Sequence, residues 1–242
     1  ENAVLYEPTL AIAYRNLGWG YGRFNHDLKK AITFYEKAIA LDKTDAVYYD
    51  ELDILYEATN SPVNVRLKLF EGSNEIVRKR DDAFVRQISV LTLAGMPDKS
   101  VEYLEGKRFS YREGNSRVRE VIIDAHLTLG LKYFAENNYQ KALDNFLLAQ
   151  IPDEEAGSAR SGNRDIQVNY FIGLAYDALM KKTLAKSFYS KASGQASRGT
   201  GVMSYYQGLS FQKLGDKAKA AEIFNALITN GELQINQSPD NN

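Results

Sequence analysis

Glycine recurs at one fixed point of a helical pattern in four separate stretches of this chain. Each of these glycines is followed 12 residues later, or 13 in the first copy, by an alanine: Gly18 and Ala31, Gly130 and Ala142, Gly173 and Ala185, Gly208 and Ala220. A glycine inside a helix costs about 1 kcal/mol relative to alanine. Its repeated placement therefore needs a packing reason, and the close approach of two helices supplies one.

The rest of the sequence is also helical in character. Only five prolines occur in 242 residues, and apolar residues recur at intervals of three and four, which is the helical period. No segment has the alternation expected of a strand. With 44% apolar and 25% charged residues, the composition is that of an ordinary globular protein with a full core. The sequence therefore predicts an all-α fold.

The clearest copy of the pattern is the window "HLTLGLKYFAENNYQKALDNFLLAQIP". Here Leu129, Gly130 and Tyr133 precede the polar break "AENN", and Ala142, Phe146 and Ala149 follow it. This order resembles the tetratricopeptide repeat (TPR), a pair of antiparallel helices. The other three copies keep the same order: Leu17, Gly18, Tyr21, Ala31, Tyr35 and Ala38; Ile172, Gly173, Tyr176, Ala185, Tyr189 and Ala192; Gly208, Phe211, Ala220 and Phe224.

The interval between Gly18 and Gly130 leaves room for two weaker repeats, which we place at residues 45–106. We therefore predict an α-solenoid of about six TPR-like helix pairs within residues 1–230, as a single domain. The resemblance implies a right-handed superhelix. Loops at 107–116 and 152–164 lengthen the spacing between repeats, and residues 231–242 are expected to form a disordered tail.

The middle of the chain carries a more specific resemblance. The segments "RDDAFVRQISVLTLAGMPDKSVEYLEGKRFSYREGNSRVREVIIDAHLTLG" and "PDEEAGSARSGNRDIQVNYFIGLAYDAL" resemble the C-terminal half of a family of large bacterial proteins. In that family, TPR helices follow an uncharacterised β-rich region similar to sugar-binding, aldose-epimerase-like domains. Arg108 and Phe109 match the start of the family's loop, whereas its histidine and tryptophan are absent from "SYREGN". The resemblance implies a bacterial origin and an N-terminal partner domain, but no reaction.

Charge and residue types exclude several kinds of site. The formal net charge of −1 argues against the broad basic face that nucleic-acid binding requires. The chain has no cysteine, and its two histidines, His26 in a turn and His126 at a packing position, are expected to be structural. No apolar run is long enough to cross a membrane. The carboxylates of "YYDELDILYE" are expected on a solvated helix face. We therefore predict no enzyme activity, no cofactor and no metal site.

The first helix of each pair supplies most of the concave face of a TPR array. The residue three before each motif glycine, the residue just after it and the residue one turn onward form an apolar and aromatic stripe flanked by Arg15: Trp19, Leu127, Leu131, Phe134, Tyr170, Leu174, Tyr205 and Leu209. An exposed apolar patch of this kind would mark a binding site. The alternative is that neighbouring helices or another domain cover these side chains.

The stretch "GKRFSYREGNSR" at residues 106–117 is basic and aromatic. It could be a plain spacer, an anion site, or a docking loop in which Arg108, Phe109, Tyr111 and Arg112 anchor an interface. The first residue is not methionine, so we interpret the chain as part of a longer protein or as a processed form. The sequence thus favours a scaffold that binds a protein or peptide, possibly its own N-terminal domain. The alternative is an accessory region of a carbohydrate-binding or carbohydrate-processing protein.

Overall fold

The computed structural model describes residues 2–109, 117–150, 164–195 and 200–236. Within these residues there are fourteen helices and no strand, which confirms the predicted all-α class. Contacts within the chain divide it into two compact units, Glu1–Val121 and Ile122–Asn242. The boundary falls inside one helix.

Unit 1 contains three antiparallel helix pairs and two short helices. The pairs are α2 with α3, α4 with α5, and α7 with α8. The helices of this unit are α1 (Asn2–Tyr6), α2 (Ala11–Arg23), α3 (Leu28–Leu41), α4 (Ala46–Ala58), α5 (Val63–Phe70), α6 (Asn74–Val77), α7 (Asp81–Leu93) and α8 (Pro97–Leu104).

Unit 2 contains the remaining three pairs, α9 with α10, α11 with α12, and α13 with α14. Its helices are α9 (Arg117–Ala135), whose first residues belong to unit 1, α10 (Tyr139–Leu148), α11 (Asp165–Ala178), α12 (Lys182–Gly194), α13 (Val202–Leu214) and α14 (Lys217–Asn236). Six helix pairs in the described residues agree with the predicted number.

A left-handed residue lies in the turn between the two helices of every pair. These residues have φ between 52° and 88°: His26, Asn60, Gly95, Asn137, Met180 and Gly215. Glycine and asparagine adopt this conformation readily at a helix C-terminus. For methionine it is unfavourable, so the backbone at Met180 is strained. In five of the pairs the next amide donates to a carbonyl five residues back, for example Asn138 to Tyr133 and Lys181 to Tyr176. The turn is therefore a constant feature of the repeat.

These carbonyl acceptors also fix the period of the repeat. They are Tyr21, Tyr56, Leu91, Tyr133, Tyr176 and Phe211, so consecutive pairs are 35 residues apart except across the two breaks, where the interval is 42 and 43. Most of the predicted loop residues, 110–116 and 152–163, lie outside the described part of the chain.

The motif glycines lie against aromatic rings of the second helix. A Cβ at Gly18 would lie 2.6 Å from a ring carbon of Tyr35, and one at Gly173 would lie 2.7 Å from the ring of Tyr189. The rings of Phe146 and Phe224 occupy the same position against Gly130 and Gly208. Phe146 is fully buried, and truncating such a side chain typically costs about 3–5 kcal/mol.

The C-terminal boundary of the helical region requires a correction. Helix α14 continues to Asn236, so residues 231–236 are helical and do not belong to the predicted tail. The remaining residues, 237–242, lie outside the described part of the chain, and the single repeat domain predicted for residues 1–230 stays a prediction.

Candidate functional site

A groove opens on unit 1 between the first helices of its first two pairs. Its volume is about 310 Å³, and it is lined by residues of α2, α3 and α4: Gly18, Trp19, Gly22, Arg23, Tyr35, Glu51, Ile54 and Leu55. The floor forms because Gly18 has no side chain and the ring of Tyr35 packs directly against α2. The crossing that defines the first repeat therefore also creates the groove.

The walls of the groove carry large apolar groups that water can reach. Trp19 is 47% exposed and Ile54 is 43% exposed. Phe24, just after the end of α2, is 70% exposed and meets the Trp19 ring edge-to-face at a centroid distance of 5.3 Å. Exposed large apolar residues are unremarkable singly, but a contiguous group of them marks an interaction surface.

Two charged side chains close one side of the groove by pairing with each other. The Arg15 guanidinium donates to both carboxylate oxygens of Glu51, with Nε 2.7 Å from Oε2. Hydrogen bonding to Glu51 raises the pKa of Arg15 above its usual value. Burial, followed by the negative charge of Glu51, raises the pKa of the Tyr35 hydroxyl. Bidentate pairs of this kind are strong and geometrically specific, so the carboxylate at the groove is already neutralised.

Arg23 carries the remaining charge of the lining. Its side chain is exposed, and no ion-pair partner for it is found in the part of unit 1 that the structure describes. The groove thus combines apolar walls with one unpaired cation.

The other carboxylates of α4 do not lie on a solvated face, contrary to the sequence-based expectation. Asp53 is fully buried and accepts two hydrogen bonds of 2.7 Å from Arg66 and one of 3.0 Å from Arg86. Arg86 also donates to Asp50 and Glu57, and Arg117 to Glu57. The physical reason for the difference is that Asp53 occupies the position of the motif glycine, so it faces the second helix of its pair.

The charges in this network balance, with three carboxylates and three guanidinium groups. Burial raises the pKa of Asp50. Burial also acts on Glu57, but the hydrogen bond and charge of Arg117, together with the charge of Arg86, lower its pKa overall. Every carboxylate in the network forms an ion pair with an arginine. The network is therefore a structural element of the second and third helix pairs.

The predicted apolar stripe is only partly exposed. Trp19 lines the groove of unit 1. In unit 2, Leu131 and Tyr205 are 40% and 48% exposed. Phe134, Leu174 and Leu209 are half-buried and pack against the core of the unit.

Two members of the stripe are core residues, which corrects their assignment to a binding surface. Leu127 and Tyr170 are buried, and the Tyr170 ring contacts the rings of Tyr189 and Tyr206 at centroid distances of 5.9 and 5.5 Å. The adjacent helix pair covers these positions, so their side chains are not available to a ligand.

The start of the basic loop folds back onto its own unit. The ring of Phe109 stacks on the fully buried Phe84 at 6.3 Å, and Lys107 pairs with Asp81 at 2.7 Å. Arg108 is exposed, whereas Tyr111 and Arg112 lie outside the described residues. Phe109 is thus held by an internal contact, and the docking and carbohydrate hypotheses for this loop stay predictions.

Both histidines lie at the predicted positions. His26 lies in the turn between α2 and α3. His126 is buried on α9 and its Nδ1 lies 3.2 Å from Oδ1 of Asn145 on α10, while burial lowers its pKa. Within the described ranges no three or more His, Asp or Glu side chains are placed so that they could hold a metal ion. The same residues include no helix with the length and apolarity needed to cross a membrane.

Sequence reasoning found Trp19 but missed the opposite wall of the groove. The signal was present, because Ile54 lies one period of 35 residues after Trp19. The positional rule depends on the motif glycine, and in the second repeat Asp53 replaces that glycine.

Comparison with known proteins supports this architecture. Residues 203–230, within α13 and α14, match the family described as the tetratricopeptide repeat. No curated protein matches the sequence at a significant level. The fold is similar to the crystal structure of YrrB, a TPR protein with an unusual peptide-binding site, with a TM-score of 0.55, 19% identity, and coverage of 93% of this chain and 96% of YrrB.

Two further solved structures have lower similarity. A mutant of MamA gives a TM-score of 0.49 at 18% identity, over 76% of this chain and 96% of that one. The TPR2AB domain of yeast Sti1 in complex with pHSP90 gives 0.35 at 15% identity, over 92% and 91%. The helix pairs, the repeat match at residues 203–230 and the similarity to YrrB together show a TPR-like helical repeat fold.

Proposed function

We propose that this chain is a non-catalytic protein-binding module, and that the groove of unit 1 receives a segment of another polypeptide. The observation that carries the proposal is the exposure of Trp19 and Ile54 in the lining of one groove, with the exposed Phe24 ring against Trp19. Tryptophan is among the residue types that dominate binding energy at protein interfaces. The similarity to YrrB is at the level of the fold, and no residue role is transferred from that protein.

The groove suits a polypeptide segment better than it suits a reaction. Its one carboxylate, Glu51, is engaged by Arg15, and the groove contains no histidine. Its volume of about 310 Å³ is at the lower end of the range for ligand pockets, which is enough for one or two large side chains. We therefore propose that the groove anchors a side chain of a longer partner.

The test is selection from a display library of random 12-residue peptides, followed by binding measurements with the selected peptides. We expect Trp19→Ala to weaken binding by at least tenfold, because a central interface tryptophan typically contributes more than about 1.4 kcal/mol. Leu131→Ala, which removes a comparably exposed apolar side chain in unit 2, is the matched control. Selected peptides that bind both variants equally well would refute the proposal.

The identity of the natural partner is a separate part of the proposal. We propose a protein partner, either another domain of the parent protein or a separate protein. Size-exclusion chromatography of this chain with the remainder of its parent tests the first possibility. Co-elution that Trp19→Ala abolishes would identify an internal docking surface, whereas separate elution would identify a groove that serves another protein.

A further inference from the structure

The groove has more positive than negative charge around it, and this excess limits the kind of partner that it can bind. Arg15 and Glu51 neutralise each other through a bidentate pair. Arg23 lines the same groove and has no ion-pair partner in the described part of unit 1. The groove therefore presents one net positive charge beside an apolar surface.

The positions of Trp19 and Arg23 on α2 determine how far apart the two matching side chains of a partner must be. The two residues are four apart on α2, which corresponds to an axial separation of about 6 Å in a helix. Two residues of an extended strand cover about 6.6 Å, and residues three or four apart on a helix lie about 5–6 Å from each other. A partner could thus contact both side chains with two of its own that are close in sequence.

The aromatic pair defines which side chain enters the groove. The Trp19 and Phe24 rings meet edge-to-face, and Ile54 and Leu55 supply the opposite wall from α4. Among the side chains of Trp19, Phe24, Ile54 and Leu55 the indole N–H is the one hydrogen-bonding group, so this wall favours an apolar or aromatic anchor. An acidic residue next to such an anchor would complement Arg23.

We infer that the groove selects a peptide segment in which an apolar or aromatic side chain is accompanied by an aspartate or glutamate. The acidic residue is two positions away in an extended peptide, or three to four positions away in a helical one. The anchor packs between Trp19 and Ile54, and the carboxylate accepts hydrogen bonds from the Arg23 guanidinium. This inference rests on the proposed function and adds the chemical class of the partner.

The experiment uses acidic, neutral and basic versions of one peptide obtained from the display selection described above. They differ only at the position nearest Arg23, which carries Glu, Gln or Lys. We expect the acidic version to bind the wild-type chain about fivefold more tightly than the neutral one at low salt, the upper range for an exposed ion pair. The difference should shrink as salt increases.

Substitutions at Arg23 then separate this inference from the proposed function. Arg23→Gln should remove the acidic preference, and Arg23→Glu should transfer it to the basic version. Lys68→Gln, which removes an exposed cation on α5 outside the groove lining, is the control and should leave the preference unchanged. Circular dichroism and thermal unfolding confirm that each variant remains folded.

The outcomes are distinct. Peptides that require Trp19 but bind equally well in all three charge versions would overturn the inference and leave the proposed function intact. A library that yields no Trp19-dependent peptide would overturn both.

Discussion

The second and fifth helix pairs differ in the side chains that lie where their two helices cross. In the fifth pair, Gly173 has no side chain and the ring of Tyr189 fills the space. In the second pair the equivalent residue is Asp53, which forms an ion pair with Arg66. Arg66 occupies the position that the motif alanine has on the second helix of the pairs with a motif glycine. A crossing point between two helices can thus be built by omitting a side chain or by inserting a buried ion pair.

The third pair shows an intermediate arrangement. Ile88 and Ser100 occupy the two positions, and both are fully buried. The Ser100 hydroxyl donates to the Ile88 carbonyl at 3.3 Å and accepts from Thr92 at 3.0 Å. A large residue on one helix is accommodated by a small one on the other. The comparison teaches that different residue types can fill the crossing, provided that the polar groups buried there are hydrogen-bonded.

The largest expected effect comes from breaking the ion pair of the second crossing. Asp53→Ala leaves the buried guanidinium groups of Arg66 and Arg86 without their central carboxylate, and we expect a loss of about 3–5 kcal/mol in the free energy of unfolding. Urea unfolding measures it. Arg80→Ala breaks the exposed pair with Asp82 and should cost under about 1 kcal/mol.

A double variant sharpens the same comparison. Asp53→Gly with Arg66→Ala converts the second crossing to the residue types of the fifth, and Arg86 keeps Asp50 and Glu57 as partners. We expect the double variant to be more stable than Asp53→Gly alone, because no buried charge is left unpaired. If the two losses simply add, the two kinds of crossing are not interchangeable.

The next largest effect is expected at the glycine crossing. In Gly173→Ala the added Cβ would lie 2.7 Å from the buried ring of Tyr189, and overpacking of this kind costs about 1–3 kcal/mol. Gly20→Ala is the matched control, since no atom lies within 4 Å of its added Cβ. It should stabilise α2 by up to about 1 kcal/mol, and a loss in both variants would argue against the packing explanation.

The smallest effect tests the feature that all pairs share. Met180 is 76% exposed with φ of 60°, so Met180→Gly should relieve backbone strain and stabilise unit 2 by about 0.5–1 kcal/mol. Gly95→Ala makes the opposite change at the same turn position, where φ is 74° and the added Cβ meets no atom. Thermal unfolding should show shifts of opposite sign, and shifts of equal sign would contradict the strain argument.

The sequence was sufficient to predict the helix pairs and much less sufficient to predict the site. Glycine and alanine spacing identified four pairs because a helical glycine is costly and therefore informative. The ion-pair network was not predictable, since Arg66, Arg86 and Arg117 come from three different helices and meet Asp53 and Glu57 only in the folded unit. In the predicted stripe Trp19 is exposed and Tyr170 is buried, and the position within a repeat does not show which residues the next pair covers.

The buried carboxylate of Asp53 also has a consequence for the order of events during synthesis. Contacts within a pair are local, such as Gly173 with Tyr189 sixteen residues later, and local contacts form rapidly. A ribosome adds a repeat of 35 residues in roughly two to seven seconds. Arg66 therefore reaches Asp53 with its own helix pair, Arg86 arrives with the next, and Arg117 completes the set after the loop has been made. Until its neighbour has been translated, the nascent second pair therefore carries three carboxylates of the network, Asp50, Asp53 and Glu57, and one guanidinium, Arg66.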